Sequence, residues 1–88
     1  VNPSVSVAIV EYRPFFIDGE VKRPGGYAYQ PGLSVNKAAA LAGGYTERAA
    51  RDKITIIREK DGRTNEFTVT VSDMIQPGDI ITINQRFF

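Results

Sequence analysis

The sequence predicts an α+β fold in which one short helix covers a mixed sheet of about five strands. Residues 34–44 carry a helical pattern with an N-cap residue, an apolar stripe and a Gly-Gly end. Alternating apolar residues on both sides of it indicate strands, and turn signals at 24–25, 61–62 and 77–78 separate them. The 88 residues are enough for one domain with a small core.

The strands follow from period-two alternation. A first strand over residues 5–12 would place Val5, Val7 and Ile9 on one face before Pro14 ends it. From position 15 onward the predicted order is β-β-α-β-β-β. Its strands cover residues 15–17, 27–29, 53–58, 64–71 and 80–83.

The helix pattern has a defined start and end. Its apolar stripe at i, i+3, i+4 and i+7 consists of Val35, Ala38, Ala39 and Ala42. Ser34 is placed to cap the first turn, and Leu41 is expected to widen the stripe. Gly43 supplies the left-handed end, and both Gly43 and Gly25 are expected to have positive φ. Thr46 is then expected to cap one helical turn over residues 47–50.

Composition excludes several function classes. The 11 basic and 10 acidic residues give a net charge of +1, which argues against a nucleic-acid surface. No apolar run approaches the length of a membrane span. The sequence contains no His and no Cys, so imidazole bases, thiol nucleophiles and most zinc sites are excluded. We therefore expect no enzyme activity, no cofactor and no metal.

The remaining polar and aromatic residues leave alternatives open. Asp18 and Glu20 are either an acid–base pair or part of a solvated face, and the solvated face is favoured. A further alternative for Glu20 is that it accepts backbone hydrogen bonds at a bulge. The basic residues between 48 and 63 alternate with acidic ones, which favours a mixed surface over an anion site. Tyr27 and Tyr29, predicted to share one strand face, are either glycan contacts or packed strand residues, and packing is favoured. The chain ends with Arg86-Phe87-Phe88, which either folds onto the core or contacts a neighbouring subunit, with the contact slightly favoured.

Three short motifs in order carry a family resemblance. The first is Gly19-Glu20-Val21-x-x-Pro24-Gly25-x-Tyr27, the second is Leu33-Ser34-Val35 through Ala38 followed by Leu41-Ala42-Gly43-Gly44, and the third is Gln76-Pro77-Gly78-Asp79-Ile80-Ile81. Together they resemble the SLBB domain, the soluble-ligand-binding β-grasp module, over residues 15–88. Residues 1–14 resemble the last strand and linker of a preceding polysaccharide export domain, although an ordinary first strand of this domain explains them equally well. Because residue 1 is not Met, we expect an upstream segment.

The resemblance implies a function outside catalysis. The chain resembles bacterial exporters of capsule or exopolysaccharide. This resemblance implies a periplasmic, outer-membrane-associated protein that forms rings and passes polymer. The implied partners are further copies of the protein, the polysaccharide and inner-membrane export components. A monomeric module that binds a small ligand or sugar is the alternative. Related modules occur in DNA-uptake proteins, but the near-neutral charge argues against nucleic acid.

Overall fold

The computed structural model describes residues 11–86. These residues form β1 (Phe15–Gly19), β2 (Gly25–Tyr27), α1 (Val35–Leu41), β3 (Ala49–Lys60), β4 (Arg63–Val69) and β5 (Ile80–Gln85). The order β-β-α-β-β-β is the predicted one. Most of the predicted strand over 5–12 lies outside the described residues, as do Phe87 and Phe88, while Glu11 and Tyr12 are not part of a strand.

The five strands form one mixed sheet in the order β2-β1-β5-β3-β4. β1 and β5 run parallel, and all other neighbouring strands are antiparallel. The last strand of the chain therefore lies in the centre, between the first strand and the β3–β4 hairpin. This arrangement confirms the α+β, β-grasp-like prediction.

The core lies between one face of the sheet and the helix. Alternate residues of the three central strands are buried there: Phe15, Ile17, Ile54, Ile56, Ile81 and Ile83. The helix stripe is buried against them, with Val35, Ala38, Ala39 and Ala42 all at 0% exposure.

Local signals set the ends of the helix and the hairpin as predicted. The Ser34 hydroxyl accepts a hydrogen bond from the Lys37 N–H at 3.2 Å. Gly43, just beyond the helix, has φ +88°, and Gly25 has φ +155°, so both positive values are confirmed. Asp61 and Gly62 both have positive φ, the geometry of a type I′ hairpin turn.

Four local predictions were wrong. The residues after Thr46 do not form a helical turn, because Ala49 pairs with Gln85 and begins β3 four positions earlier than predicted. The non-local pairing overrides the helix propensity of two alanines. Leu41 does not widen the buried stripe and is 48% exposed. The predicted turn at 24–25 lies earlier, because the chain bends at residues 22–23 and Gly25 already belongs to β2. The strand predicted over 27–29 is likewise shifted to Gly25–Tyr27.

Candidate functional site

The first motif turns the chain away from β1. Gly19 has φ +86°, and a Cβ at this position would lie 2.2 Å from the carbonyl oxygen of Ile83. The same oxygen accepts a hydrogen bond from the Glu20 N–H at 2.9 Å. Both the backbone angle and the close approach of β5 therefore require glycine at position 19.

The first and second motifs are bonded to each other. The Lys22 N–H donates to the Gly44 carbonyl at 3.1 Å, and the Thr46 N–H donates to the Glu20 carbonyl at 3.0 Å. The Thr46 hydroxyl also donates to the Glu20 carboxylate at 2.7 Å. Glu20 thus connects β1 to the end of the helix, and its carboxylate is occupied by a structural hydrogen bond.

The third motif contains a buried ion pair. Asp79 is completely buried, and its two carboxylate oxygens accept hydrogen bonds from Arg58 Nε at 2.9 Å and Nη2 at 2.8 Å. The Gln76 N–H donates to the same carboxylate at 2.8 Å. The Arg58 guanidinium lies 4.9 Å from the centre of the Phe67 ring. This two-bond pairing fixes the Pro77-Gly78 turn against β3.

Sequence reasoning missed the structural role of Arg58, because basic and acidic residues alternate between 48 and 63 and this pattern favours a mixed surface. Its side chain is 21% exposed and forms the one ion pair among residues 11–86. Hydrogen bonding to Asp79 raises the pKa of the Arg58 guanidinium, although burial acts in the opposite direction. A signal was available: Arg58 follows Ile54 and Ile56 at alternate positions, so it occupies the core-facing side of β3 and needs a buried counterion.

Both candidate tyrosines are half-buried and pack against the core. The Tyr27 hydroxyl donates to the carbonyl of Arg23, and its ring stacks on Phe15 with centroids 6.0 Å apart. The Tyr29 hydroxyl donates to the Ile75 carbonyl at 3.2 Å. Their hydroxyls therefore serve the fold. The two rings do not share one strand, because β2 ends at Tyr27.

A groove of about 580 Å³ lies beside Tyr27, between the segment after β2 and the outer face of the helix. Its lining residues are Tyr27, Ala28, Gln30, Leu33, Lys37, Ala40 and Leu41. Most of these side chains are apolar, and Gln30 and Lys37 supply the polar groups. The exposure of Leu41 is explained here, since its side chain forms part of the groove wall. Tyr27 of the first motif and Leu33 and Leu41 of the second line this groove.

A second surface lies on the face of the sheet opposite the helix. The strand register places Phe16 beside Ile80 and Ile80 beside Ile57. Phe16 is 48% exposed and Ile80 is 38% exposed. We call these three residues the open-face patch. They also line a shallow hollow of about 220 Å³ together with Arg13 and Gly78.

The candidate contact Arg86 is attached to the turn before β3. Its backbone N–H donates to the Arg48 carbonyl at 2.7 Å, and its guanidinium donates to the Glu47 carbonyl at 2.8 Å. No described contact joins it to Tyr27 or Tyr29. Phe87 and Phe88, which were predicted to form a subunit contact together with Arg86, lie outside the described residues.

Two further observations concern residues 11–86 alone. His, Cys, Asp and Glu side chains form no group of three or more there that is able to hold a metal ion. None of the helical structure in the same range has the length and hydrophobicity of a membrane span.

Comparison with known proteins agrees with the first two motifs, which lie within the residues that a family model matches. The family model of the SLBB domain matches residues 14–66. The chain is also similar to the exopolysaccharide production protein ExoF of Rhizobium meliloti (strain 1021), with 47% identity over 58 residues. That alignment covers 60% of this chain and only 14% of the relative. Because the family model spans more than half of the sequence and the predicted fold is present, the chain belongs to the SLBB domain family.

Proposed function

We propose that this domain is a non-catalytic structural and interaction module of an exopolysaccharide export protein. The observation that carries the proposal is the 47% identity to an exopolysaccharide production protein. We further propose that the protein acts in the periplasm in association with the outer membrane. Its partners would be other copies of itself, the polysaccharide and inner-membrane export components.

The state of the acidic side chains supports a non-catalytic role. The Asp79 carboxylate is enclosed by three hydrogen-bond donors, and that of Glu20 accepts the Thr46 hydroxyl. General acid–base catalysis needs a carboxyl group that can reach a substrate and exchange a proton with it. Two of the motif carboxylates are therefore committed to holding the fold.

Passage of a polymer would require several copies of the domain. Within residues 11–86 the space between the sheet and the helix is filled by the core, so we expect a polymer to pass between copies of the domain and not through one of them. A closed ring uses two different patches on each subunit. The open-face patch and the terminal residues Phe87 and Phe88 are the two contacts that we propose, with the alternating apolar sequence of residues 5–10 as a further candidate for strand pairing.

The test compares two double variants of the complete gene product. Phe87→Ser/Phe88→Ser removes the terminal aromatics, and Phe16→Ser/Ile80→Ser removes the open-face patch. Met74→Ser is the matched control, because Met74 is 55% exposed and lies outside both surfaces. We expect each double variant to form smaller oligomers than the control, measured by light scattering and cross-linking, and to secrete less polymer.

Two outcomes would change the proposal. If the terminal variant keeps the wild-type oligomer and secretion, Phe87 and Phe88 are not an assembly contact and the core-packing interpretation replaces it. If both double variants behave like Met74→Ser, ring assembly through this domain is wrong.

The second candidate function is a monomeric module that binds a sugar or small ligand. The groove beside Tyr27 favours it, because ligand sites are concave, largely apolar and carry a few polar groups. This function is compatible with export, since a module that contacts the polymer can also belong to an assembly.

A further inference from the structure

The groove lies in a part of the chain that contains no acidic residue. Between residues 21 and 46 there are three basic residues, Lys22, Arg23 and Lys37, and no Asp or Glu. The rest of the sequence has eight basic residues and all ten acidic ones. Because it lacks acidic residues, the segment that builds β2, the helix and both walls of the groove carries a net charge of +3, whereas the rest of the chain carries −2.

Lys37 brings this charge into the groove. Lys37, Ala40 and Leu41 are spaced i, i+3 and i+4, so they share the outer face of the helix, and all three are exposed. The Lys37 ammonium forms no ion pair with any residue between 11 and 86, where Arg58–Asp79 is the one such pair. An unpaired ammonium above an apolar floor favours a ligand with a negative charge.

The remaining lining residues favour a sugar as the carrier of that charge. Tyr27 is fixed by its stacking on Phe15 and its hydrogen bond to Arg23, so its ring is available without loss of side-chain freedom. Aromatic rings pack against the C–H faces of sugars, and the Gln30 amide is able to bond hydroxyl groups. A small inorganic anion would leave the Tyr27 and Leu41 surfaces uncovered.

We propose that this groove binds a segment of an acidic polysaccharide. A sugar ring packs against Tyr27 and Leu41, and its carboxylate or another acidic substituent pairs with Lys37. The inference rests on the proposed role in exopolysaccharide export and adds to it the chemical class of the polymer and the surface that contacts it.

The experiment titrates the 88-residue chain with a hexamer of galacturonic acid, followed by NMR and calorimetry. Cellohexaose serves as the neutral sugar, and hexaglutamate serves as the anion without sugar rings. We expect saturable binding of the acidic sugar alone, with the largest shifts at Tyr27, Lys37 and Leu41. We also expect binding to weaken with added salt, because the pair at Lys37 is exposed.

Variants then test the residues. Lys37→Gln should weaken binding by about 3- to 5-fold, the size of one exposed charge pair, and Lys37→Arg should retain most of it. Lys60→Gln is the matched control, because Lys60 is exposed at the β3–β4 turn, and it should bind like the wild type.

Several results would overturn the inference. They are equal binding of cellohexaose or hexaglutamate, shifts confined to other surfaces, no effect of Lys37→Gln, or no saturable binding of the acidic hexamer. Binding is measured on this chain, whereas assembly and secretion are measured on the complete gene product. A failed titration therefore removes the acidic-polymer groove and leaves the export proposal to its own test.

Discussion

Replacing Arg58 with Met should destabilise the domain by about 3 kcal/mol. The substitution keeps an unbranched side chain over Phe67 but removes both guanidinium hydrogen bonds to Asp79. Of the three hydrogen bonds that the buried Asp79 carboxylate accepts, only the one from the Gln76 N–H then remains. Removing one partner of a buried ion pair typically costs about 3–5 kcal/mol. We take the lower end, because the 21% exposure of the Arg58 side chain shows that water can approach this side of the pair.

The effect should be large relative to total stability. At roughly 0.05–0.15 kcal/mol per residue, a domain of this length has about 4–13 kcal/mol in all. A loss of about 3 kcal/mol should lower the melting temperature by about 12–24 °C. Circular dichroism during thermal and urea unfolding measures both quantities. Arg63→Met is the matched control, since Arg63 is exposed at the start of β4, and it should change stability by less than about 0.5 kcal/mol.

The geometry of the pair gives a second comparison. Arg58→Lys keeps the charge but cannot donate two parallel hydrogen bonds to one carboxylate, so it should remain clearly less stable than the wild type. A double-mutant cycle with Asp79→Asn should show coupling between the two positions. If Arg58→Met is as stable as Arg63→Met, or if the cycle shows independent effects, the ion pair does not stabilise the third motif and this reasoning is refuted.

Two further predictions concern backbone geometry and pH. Gly19→Ala should lower the free energy of unfolding by about 3 kcal/mol or more, because its Cβ would overlap the Ile83 carbonyl. Gly32→Ala, at a residue with φ +88° and open space around it, should lower it by about 1–2 kcal/mol. Equal losses for the two variants in urea unfolding would show that the close approach is unimportant. Burial raises the pKa of Tyr45 above its ordinary value of 10.0, against the opposing charge of Arg51. The native state therefore keeps the Tyr45 proton at a pH where the unfolded state loses it, so the free energy of unfolding should decline as the pH rises above 10.0. Tyr45→Phe should reduce that decline in alkaline unfolding curves. An unchanged decline in the variant would assign it to other groups.

Elements with local signals could be predicted from the sequence. Ser34 and Gly43 fix the ends of the helix through their own hydrogen bonding and backbone angle. Asp61 and Gly62 adopt the positive φ values that a two-residue hairpin requires. These features depend on residues within a few positions of each other, so a single sequence contains the information.

Features that depend on distant residues could not be predicted in this way. The start of β3 at Ala49 is set by pairing with Gln85, and the role of Arg58 is set by Asp79, 21 positions later. The alternation in β3 marked Arg58 as core-facing, but nothing local identified its partner. The groove likewise combines residues from β2 and the helix. Leu41 could not be placed from the sequence, because it lies three positions after Ala38 of the buried stripe and four positions after Lys37 of the outer face.

The central claim is that this domain works in exopolysaccharide export. The amount of secreted polymer tests this claim most directly. Cells carrying the complete gene with Phe16→Ser/Ile80→Ser are compared with cells carrying Met74→Ser, with the protein amount checked in each. The account predicts normal protein levels in both strains and reduced extracellular polysaccharide only with the double variant. Wild-type secretion by this variant, and also by Phe87→Ser/Phe88→Ser, would contradict the claim that the domain acts in export through assembly contacts.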